Sequence, residues 1–439
     1  MGCMMAGGRH DWVVQCAILV CRVMKQIANG QGDITADFFK GNRDRLRQLF
    51  TGSAPIVLTA HGRLQMAMDE SYPFHQDRNF WYLTGIDEPD VVLVLDKDKE
   101  YIIMPERSDV MSAFDGKLEE RAFREQSGIE QVYTWNDGWK QLGARIKRVR
   151  HVATLGANQA YMEHFGMYAN PARAALIKRM QDYNPTLELL DLRQHLARMR
   201  MIKQPIEMRQ IQTAIDITLD SLRDATKPAK IAKYTHEYQI EAELYKGFKY
   251  RGAEGNAFAP IVASGQNACT LHYVTNSARL TKDGLVVLDV GAAYNHYSAD
   301  ISRTIVYGTP TRRQLQVHQA VQEAHAYAQS LLKPGVTIMA YERQMEQFMG
   351  EKLRELGLIK TIDSPSVRAY FPHATSHFMG LDTHDAGDYE RPLGPDVVLT
   401  VEPGMYIPEE GIGVRIEDDV LITADGCRNL SERLHRELS

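Results

Sequence analysis

The chain has 439 residues, enough for two domains, and its 44% hydrophobic and 24% charged residues are typical of a soluble globular protein. The formal net charge of −5, without a long basic run, gives no support to nucleic-acid binding. The five cysteines are odd in number and lack metal or disulfide spacing, which favours a reducing compartment. We therefore predict a cytoplasmic protein.

The first part of the chain, residues 1–32, differs from the rest. Residues 12–24 are mostly apolar, but Gln15 and Arg22 interrupt them, and the stretch is shorter than the about 20 residues of a membrane span. A weak signal-like segment is one interpretation, although a convincing small-residue cleavage site is missing. We favour a helical or disordered extension, or an upstream start codon with Met24 as the usual one, and we predict no membrane association.

Residues 33–201 are predicted to form a smaller domain in which strands and helices alternate. An amphipathic segment at residues 36–50 is predicted to open this domain as a helix. Predicted strands follow at 55–59, 91–95 and 100–104, and predicted helices at 118–126 and 137–147. Alternation of this kind indicates a mixed α/β layer structure.

Residues 202–439 are predicted to form a second domain. A helical segment at 192–201 leads to Pro205, which suits the first turn of a helix, and we place the domain boundary after residue 201. Further helices are predicted at 206–224, 236–249, 311–332 and 339–356, with a clear break at 333–335. The whole chain is therefore predicted to be α/β (α+β) in class.

Two aspartates of this second domain lie in strand-like sequence on either side of a short turn. Asp289 lies in a β-branched run at 285–290, and Asp300 lies in the return run at 298–307. If the turn centres on residues 294–295, the two side chains are directly opposite, with Cβ atoms about 4.5–5.5 Å apart. Without neutralisation, two such carboxylates would repel each other and one would take a proton.

Two glutamates repeat this arrangement further along the chain. Glu402 and Glu417 lie in strand-like runs, and pairing about residues 409–410 sets them opposite each other. Strands disfavour Asp, and buried carboxylates are costly unless they are paired or bound to metal. The two acid pairs therefore predict a site for two divalent cations, which would balance all four charges.

Histidines supply the remaining candidate ligands. His373 and His377 lie close together, His384 follows, and His272 precedes the first acid pair. The helical zinc-protease motif does not apply, because it needs Glu directly after the first histidine, where this chain has Ala374. A single histidine is more often a packed or surface residue, but His377 is predicted to be a ligand because carboxylates alone rarely complete a transition-metal shell.

The strand period predicts two partners for these ligands. Arg415 lies two residues before Glu417, and Tyr406 lies four residues after Glu402, so each shares a face with its ligand. A guanidinium and a phenol in these places are predicted to orient ligand carboxylates such as Asp289. Ordinary strand packing is the alternative for Tyr406.

The segments that carry these residues resemble those of the pita-bread metallopeptidases, and within them the Xaa-Pro aminopeptidases (aminopeptidase P). The segments are Leu288-Asp289-Val290-Gly291 and residues 298–304, 372–377, 401–404 and 415–419. The resemblance runs from about Asp33 to the C-terminus and includes that family's N-terminal domain, read at residues 72–85. It implies a pita-bread catalytic domain, in which helices back a curved sheet, after a smaller mixed α/β domain.

The resemblance also implies a role for each candidate residue. Two divalent ions would be held by Asp289, Asp300, His377, Glu402 and Glu417, with Asp300 and Glu417 bridging both. A hydroxide bridging the ions would be the nucleophile, and Glu402 would pass its proton to the leaving nitrogen. His272 and His384 would hold the substrate and stabilise the oxyanion, and His373 would line the pocket. Four oxygen donors and one imidazole suit Mn²⁺ and admit Co²⁺, Fe²⁺ or Zn²⁺, and the resemblance favours Mn²⁺.

The activity implied is hydrolysis of the N-terminal peptide bond before a penultimate proline. A proline dipeptidase (prolidase) is the nearest alternative, because it shares the ligands and the two-domain plan, although residues 375–376 and 417–419 look more like aminopeptidase P. Creatinase-like metal-free hydrolases and scaffold relatives that bind protein partners have generally lost ligands, so we favour them less. The resemblance further implies a homodimer or homotetramer.

Overall fold

A computed structural model describes residues 34–97, 99–157, 162 and 166–436. The predicted N-terminal extension, with its apolar stretch, lies outside the described residues. The chain divides into two compact units, of which the first ends at Leu192 and the second begins at Arg193. The helix that we predicted just before the domain boundary therefore lies in the second unit. Within the described ranges, no helix combines the length and the apolar character of a membrane span.

The first unit contains a six-stranded mixed sheet in the order β4-β3-β2-β1-β5-β6. Its strands are β1 (Ile56–Thr59), β2 (Val92–Asp96), β3 (Lys99–Ile103), β4 (Val132–Tyr133), β5 (His151–Thr154) and β6 (Glu188–Asp191). Its described helices are α1 (Ala36–Leu49), α2 (Arg78–Thr84), α3 (Asp109–Asp115), α4 (Glu120–Ser127), α5 (Trp135–Ile146) and α6 (Ala172–Tyr183). β1 pairs antiparallel with β2 and parallel with β5, so the predicted mixed α/β architecture is confirmed.

Apolar side chains from the sheet and from two helices form the core of this first unit. Val57, Val94 and Ile103 of the sheet are buried in one cluster with Trp139 of α5 and Leu176 of α6. Full burial of side chains of this size stabilises a fold by about 1.5–3 kcal/mol each. The cluster therefore explains why these strands and helices stay together.

The second unit combines longer helices with short antiparallel strands. Its helices are α7 (Arg193–Met201), α8 (Pro205–Ala225), α9 (Pro228–Ile231), α10 (Glu237–Tyr250), α11 (Arg312–Leu331), α12 (Ile338–Glu355) and α13 (Ser364–Arg368). Its strands are β7 (Gly255–Asn256), β8 (Ile261–Ser264), β9 (Gly284–Val290), β10 (Ala292–Tyr294), β11 (Tyr297–Ser298), β12 (Ile301–Tyr307), β13 (Val398–Val401), β14 (Gly404–Ile407), β15 (Ile412–Arg415), β16 (Asp418–Ile422) and β17 (Cys427–Asn429). The predicted helix start at Pro205 and the predicted break between α11 and α12 are both confirmed. Buried Val321 of α11 and Met345 of α12 share a core cluster with Val401 and Val414, so helices back the strands.

The first acid hairpin differs from its predicted register. Asp289 of β9 lies opposite Ser302 of β12, and not opposite Asp300. The turn is formed by Asn295 and His296, both with positive φ (46° and 67°), one residue later than expected. Asn is favoured in such a left-handed turn, which matches the twist of the strands. Because the resulting shift is two residues, the period of the strand still leaves both aspartates on one face.

The end of β9 requires glycine at position 291. A Cβ atom built there would lie 1.7 Å from the carbonyl oxygen of Ala299 on the return strand. We expect Gly291→Ala to lower the free energy of unfolding by about 2 kcal/mol or more, because the obstructing atom belongs to the backbone and not to a flexible side chain. Urea unfolding would measure this loss. Gly394→Ala is the control, since no atom lies within 4 Å of its Cβ position, and equal losses in the two variants would contradict the expectation.

The second acid hairpin has the predicted register. β14 pairs with β15 about the predicted turn, and the same register continues where β13 pairs with β16. Glu402 and Glu417 occupy the interruption between these two strand pairs, where the common register sets them opposite each other. Their backbone N–H groups donate to residues outside the hairpin. That of Glu402 donates to the carbonyl oxygen of Thr375 (2.9 Å), and that of Glu417 donates to the carbonyl oxygen of Ser302 (3.0 Å). The two hairpins and the histidine segment are thereby tied together.

Candidate active site

The predicted site residues meet at one cavity of about 530 Å³ in the second unit. The candidate residues that line it are Asp289, Asp300, His377, Glu402, Glu417, His272, His373, His384 and Arg415. Apolar side chains complete the lining, among them Phe258, Ile261, Leu271 and Val274. Tyr406, which is buried, lies behind this lining and contacts it through its hydroxyl group.

The closest group of donor atoms joins both hairpins to the histidine segment. One ligand atom each from Asp300, His377 and Glu417 lie within 4.8 Å of one another. The Nε2 atom of His377 is 3.4 Å from Oδ2 of Asp300 and 3.5 Å from Oε1 of Glu402. Its Nδ1 atom lies 3.0 Å from the carbonyl oxygen of Phe378, and donation there leaves the lone pair of Nε2 facing the carboxylates.

The carboxylates carry more negative charge than the neighbouring residues neutralise. Burial raises the pKa of Asp300 and that of Glu417 well above their usual values, and the neighbouring carboxylates raise both further. Burial also raises the pKa of Glu402 to about 8, although Arg415 opposes this shift. One oxygen of Asp289, Oδ1, is buried without a hydrogen-bond partner. An orphaned oxygen among crowded carboxylates fits the binding of divalent cations, which take oxygen ligands.

His373 and His377 are uncharged at neutral pH. Burial, with a smaller contribution from the nearby His384, lowers the pKa of His377 to about 3. Burial, with a smaller contribution from Arg415, lowers the pKa of His373 to about 3 as well. The ring centres of His377 and His384 lie 4.1 Å apart. A neutral imidazole keeps one nitrogen lone pair, which is the form in which histidine binds a metal.

Arg415 connects the two hairpins from behind the carboxylates. Its guanidinium donates to Oδ2 of Asp289 (2.6 Å), to the hydroxyl of Tyr406 (2.7 Å) and to Oγ of Ser302 (3.0 Å). The same Tyr406 hydroxyl lies 2.9 Å from Nε2 of His373. Both predicted partners, Arg415 and Tyr406, therefore contact cavity residues. The hydrogen bond from Arg415 orients the carboxylate of Asp289.

Two further residues contact a candidate ligand or the histidine segment, although no sequence pattern singled them out. The hydroxyl of Ser302 donates to Oε2 of Glu417 (2.7 Å). Ser302 lies two residues after Asp300, so the strand period places both on one face, and this spacing could have predicted that Ser302 lies at the site. Glu342 of α12 accepts hydrogen bonds from the backbone N–H of Thr375 at 2.9 and 3.1 Å. Helix α12 is distant in sequence from the histidine segment, so no local pattern indicates this second contact.

The contact of Ser302 with Glu417 gives a prediction about metal affinity. Ser302→Ala removes the hydroxyl that holds Glu417, and we expect it to weaken Mn²⁺ binding about 10-fold. Titration calorimetry with metal-free protein would measure the change. Ser431→Ala is the matched control, because its buried hydroxyl also donates at 2.7 Å to a buried carboxylate, that of Asp418, which is not a candidate ligand. Equal affinity in both variants would contradict the prediction.

Known proteins are similar to this chain over most of its length. Residues 207–424 match the model of metallopeptidase family M24, and residues 39–153 match that of the aminopeptidase P N-terminal domain. The Xaa-Pro aminopeptidase of Escherichia coli is 32% identical over 425 residues, which cover 91% of this chain and 95% of that protein. The chain belongs to metallopeptidase family M24. Xaa-Pro aminopeptidase 3 of Homo sapiens is also 32% identical, over 88% of this M24 metallopeptidase and 79% of the human protein.

Solved structures agree with this assignment. Aminopeptidase P from Escherichia coli, in a low-pH form, superposes with a TM-score of 0.82 at 28% identity, covering 92% of this M24 metallopeptidase and 97% of that chain. Proline aminopeptidase P II from Yersinia pestis gives a TM-score of 0.80 at 30% identity, covering 92% and 98%. The predicted pita-bread catalytic domain after a smaller mixed α/β domain is therefore confirmed. The N-terminal domain match favours an aminopeptidase over a prolidase within family M24.

Proposed function

We propose that this metallopeptidase removes the N-terminal residue from peptides that carry proline at the second position. The observation that carries the proposal is the meeting of four carboxylates and His377 at one cavity, in a chain similar along most of its length to Xaa-Pro aminopeptidases. We also propose that the N-terminal domain spans residues 33–201 and that the catalytic domain spans residues 202–439. The match of residues 39–153 to the aminopeptidase P N-terminal domain supports the first of these ranges.

We infer that two divalent ions bind at this cavity and that Mn²⁺ is the preferred metal. The ligands would be Asp289, Asp300, His377, Glu402 and Glu417, with Asp300 and Glu417 shared between the ions. Four carboxylates and one imidazole, without a thiolate, form a donor set that suits Mn²⁺. When bound, such ions lower the pKa of a water molecule and stabilise negative charge on the peptide carbonyl oxygen.

Glu402 is proposed to move the proton of the reaction. Its carboxylate lies at the cavity beside the other candidate ligands, where it can accept a proton from a bound water molecule and return it, as a general base and acid. It would take the proton from the attacking water and pass it to the leaving nitrogen. Its Oε2 atom lies 3.5 Å from Nδ1 of His373, which places the carboxyl group among the lining side chains.

Other lining residues are proposed to hold the substrate. His272 and His384 line the cavity beside the carboxylates, where an imidazole N–H can donate to a substrate oxygen. Leu271 and Val274 give the same cavity an apolar wall. Proline has an apolar ring and no amide hydrogen, so a wall of this kind can accept it without leaving a donor unsatisfied.

We further propose a cytoplasmic homodimer or homotetramer. Two cysteines lie in the described part of the chain, Cys269 and Cys427, and both are free thiols, which suits a reducing compartment. The resemblance to family members that form such oligomers supports the subunit number. Size-exclusion chromatography with light scattering would test it, and a monomer at micromolar concentration would contradict it.

Product analysis tests the proposed activity directly. Protein loaded with Mn²⁺ would be incubated with Arg-Pro-Pro and, separately, with the dipeptide Ala-Pro. Release of arginine with little cleavage of Ala-Pro would support the proposal. Cleavage of Ala-Pro alone would move the assignment to a prolidase, and the absence of cleavage in both would overturn the peptidase proposal.

A further inference from the structure

A closed loop carries His384 to the cavity. The loop runs from Phe378 to Asp385, and the backbone N–H of Asp385 closes it by donating to the carbonyl oxygen of Phe378 (2.7 Å). That carbonyl oxygen is also the one that Nδ1 of His377 contacts at 3.0 Å. A single backbone group therefore fixes both the end of the loop and the orientation of the His377 ring.

The side chain of Asp385 is buried between two cations. Its Oδ2 atom accepts a hydrogen bond from Nζ of Lys203 (2.7 Å), and its Oδ1 atom accepts one from the guanidinium of Arg200. Lys203 also donates to the carbonyl oxygen of Arg200 at 2.7 Å. All three side chains are buried, with residue exposures of 5% or less. Although burial raises the pKa of Asp385, Arg200 and Lys203 lower it below its usual value, so the carboxyl group of Asp385 stays ionised.

The backbone of the loop packs directly against this ion cluster. A Cβ atom on Gly380 would lie 2.3 Å from Oδ2 of Asp385 and 2.5 Å from Nζ of Lys203. The carbonyl oxygen of Gly380 in turn accepts a hydrogen bond from the backbone N–H of Ser298 (2.8 Å), two residues before Asp300. The cluster thus supports the loop from one side, and the loop supports the strand that leads to a candidate ligand.

We propose that Asp385, held by Lys203 and Arg200, is a positioning residue for both His377 and His384. Asp385 acts through the loop, because its carboxylate points to the cations and its backbone closes on Phe378. The inference rests on the proposed function, since it treats the cavity as the site of metal binding and peptide hydrolysis. Loss of the Asp385 carboxylate would leave Lys203 buried without this anion, and it would release the loop. Arg200 would keep its pairing with Asp382 (2.6 Å).

Asp385→Asn tests this role against a matched control. The control is Asp388→Asn, which changes another buried carboxylate close to Asp385 in sequence. Asp388 also accepts a hydrogen bond from helix α7, from Arg198 at 2.9 Å, but it lies outside the loop. We expect Asp385→Asn to raise the Mn²⁺ dissociation constant about 10–100-fold and to lower kcat at saturating metal, with both values unchanged in Asp388→Asn. Equal effects in the two variants would overturn the proposal, because a merely structural role predicts them.

A second variant keeps the test informative if Asp385→Asn does not fold. Lys203→Met removes one cation and leaves the pair of Asp385 with Arg200, so we expect a smaller rise in the Mn²⁺ dissociation constant in the same direction. An unchanged dissociation constant in folded Lys203→Met would overturn the positioning role of the cluster. Failure of the proposed function is recognised separately, because the wild-type protein would then cleave no peptide while calorimetry still reports metal binding.

Discussion

Glu402→Gln is expected to lower kcat for peptide hydrolysis by at least about 100-fold while the protein stays folded and retains part of its metal affinity. Burial raises the pKa of Glu402 to about 8, so in metal-free protein at neutral pH this side chain is mostly protonated and uncharged. Gln has the same shape and the same charge as that form, so the fold loses little. It cannot accept the proton of the attacking water, so the proposed reaction stops.

The measurement combines steady-state kinetics on Arg-Pro-Pro with the metal content of each variant. Glu410→Gln is the control, because it makes the same change on the same hairpin, where Glu410 contacts Arg313 at the surface. Asp300→Ala is the second comparison, and it should lose metal as well as activity. Glu402→Gln protein with near-normal kcat and full metal would show that the proton is moved by another group.

The acid hairpins show what a sequence pattern predicts well. The register of the second hairpin followed from counting outward from its turn, and the structure confirms it. The first hairpin deviated because Asn295 and His296 both adopt positive φ, which moved the turn by one residue. The placement of both aspartates on one face was still predictable, since a register shift of two residues preserves the face of every side chain.

Contacts between segments distant in sequence were not predictable in the same way. Glu342 on α12 and Lys203 after α7 support the histidine segment and its loop, yet neither lies at a spacing that a helix or strand period would indicate. Such contacts depend on how elements pack in three dimensions. Periodicity identifies which side chains share a face, so it found the partners within each hairpin and missed those supplied by helices.

The metal-free protein is expected to lose stability as the pH rises from about 7.5 to 8.5, and added Mn²⁺ to stabilise it most at the upper end. Burial raises the pKa of Glu402 to about 8 and those of Asp300 and Glu417 well above their usual values. The folded protein therefore holds protons that the unfolded chain releases. Each such proton lowers the free energy of unfolding by up to about 1.4 kcal/mol per pH unit.

Buried histidines act in the opposite direction, but mainly at lower pH. Burial lowers the pKa values of His373 and His377 to about 3, so these groups make the folded state more stable as the pH rises towards the ordinary value of 6.5. At pH 6.5 about half of each such histidine is still charged in the unfolded chain, and this contribution fades over about one further pH unit, so above about pH 7.5 the carboxylates chiefly determine the slope. The window from about pH 7.5 to 8.5 therefore isolates the predicted effect of the carboxylates.

Thermal unfolding with a chelator or with saturating Mn²⁺, at several pH values in this window, would measure both effects. Metal binding needs deprotonated carboxylates, so the difference in Tm between the two conditions should widen as the pH rises. Asp300→Asn should show a shallower loss of stability with pH, because one of the retained protons is gone, and little stabilisation by Mn²⁺. A metal-free protein whose Tm is constant or rises across the window would show that these carboxylates are not crowded together in the folded state.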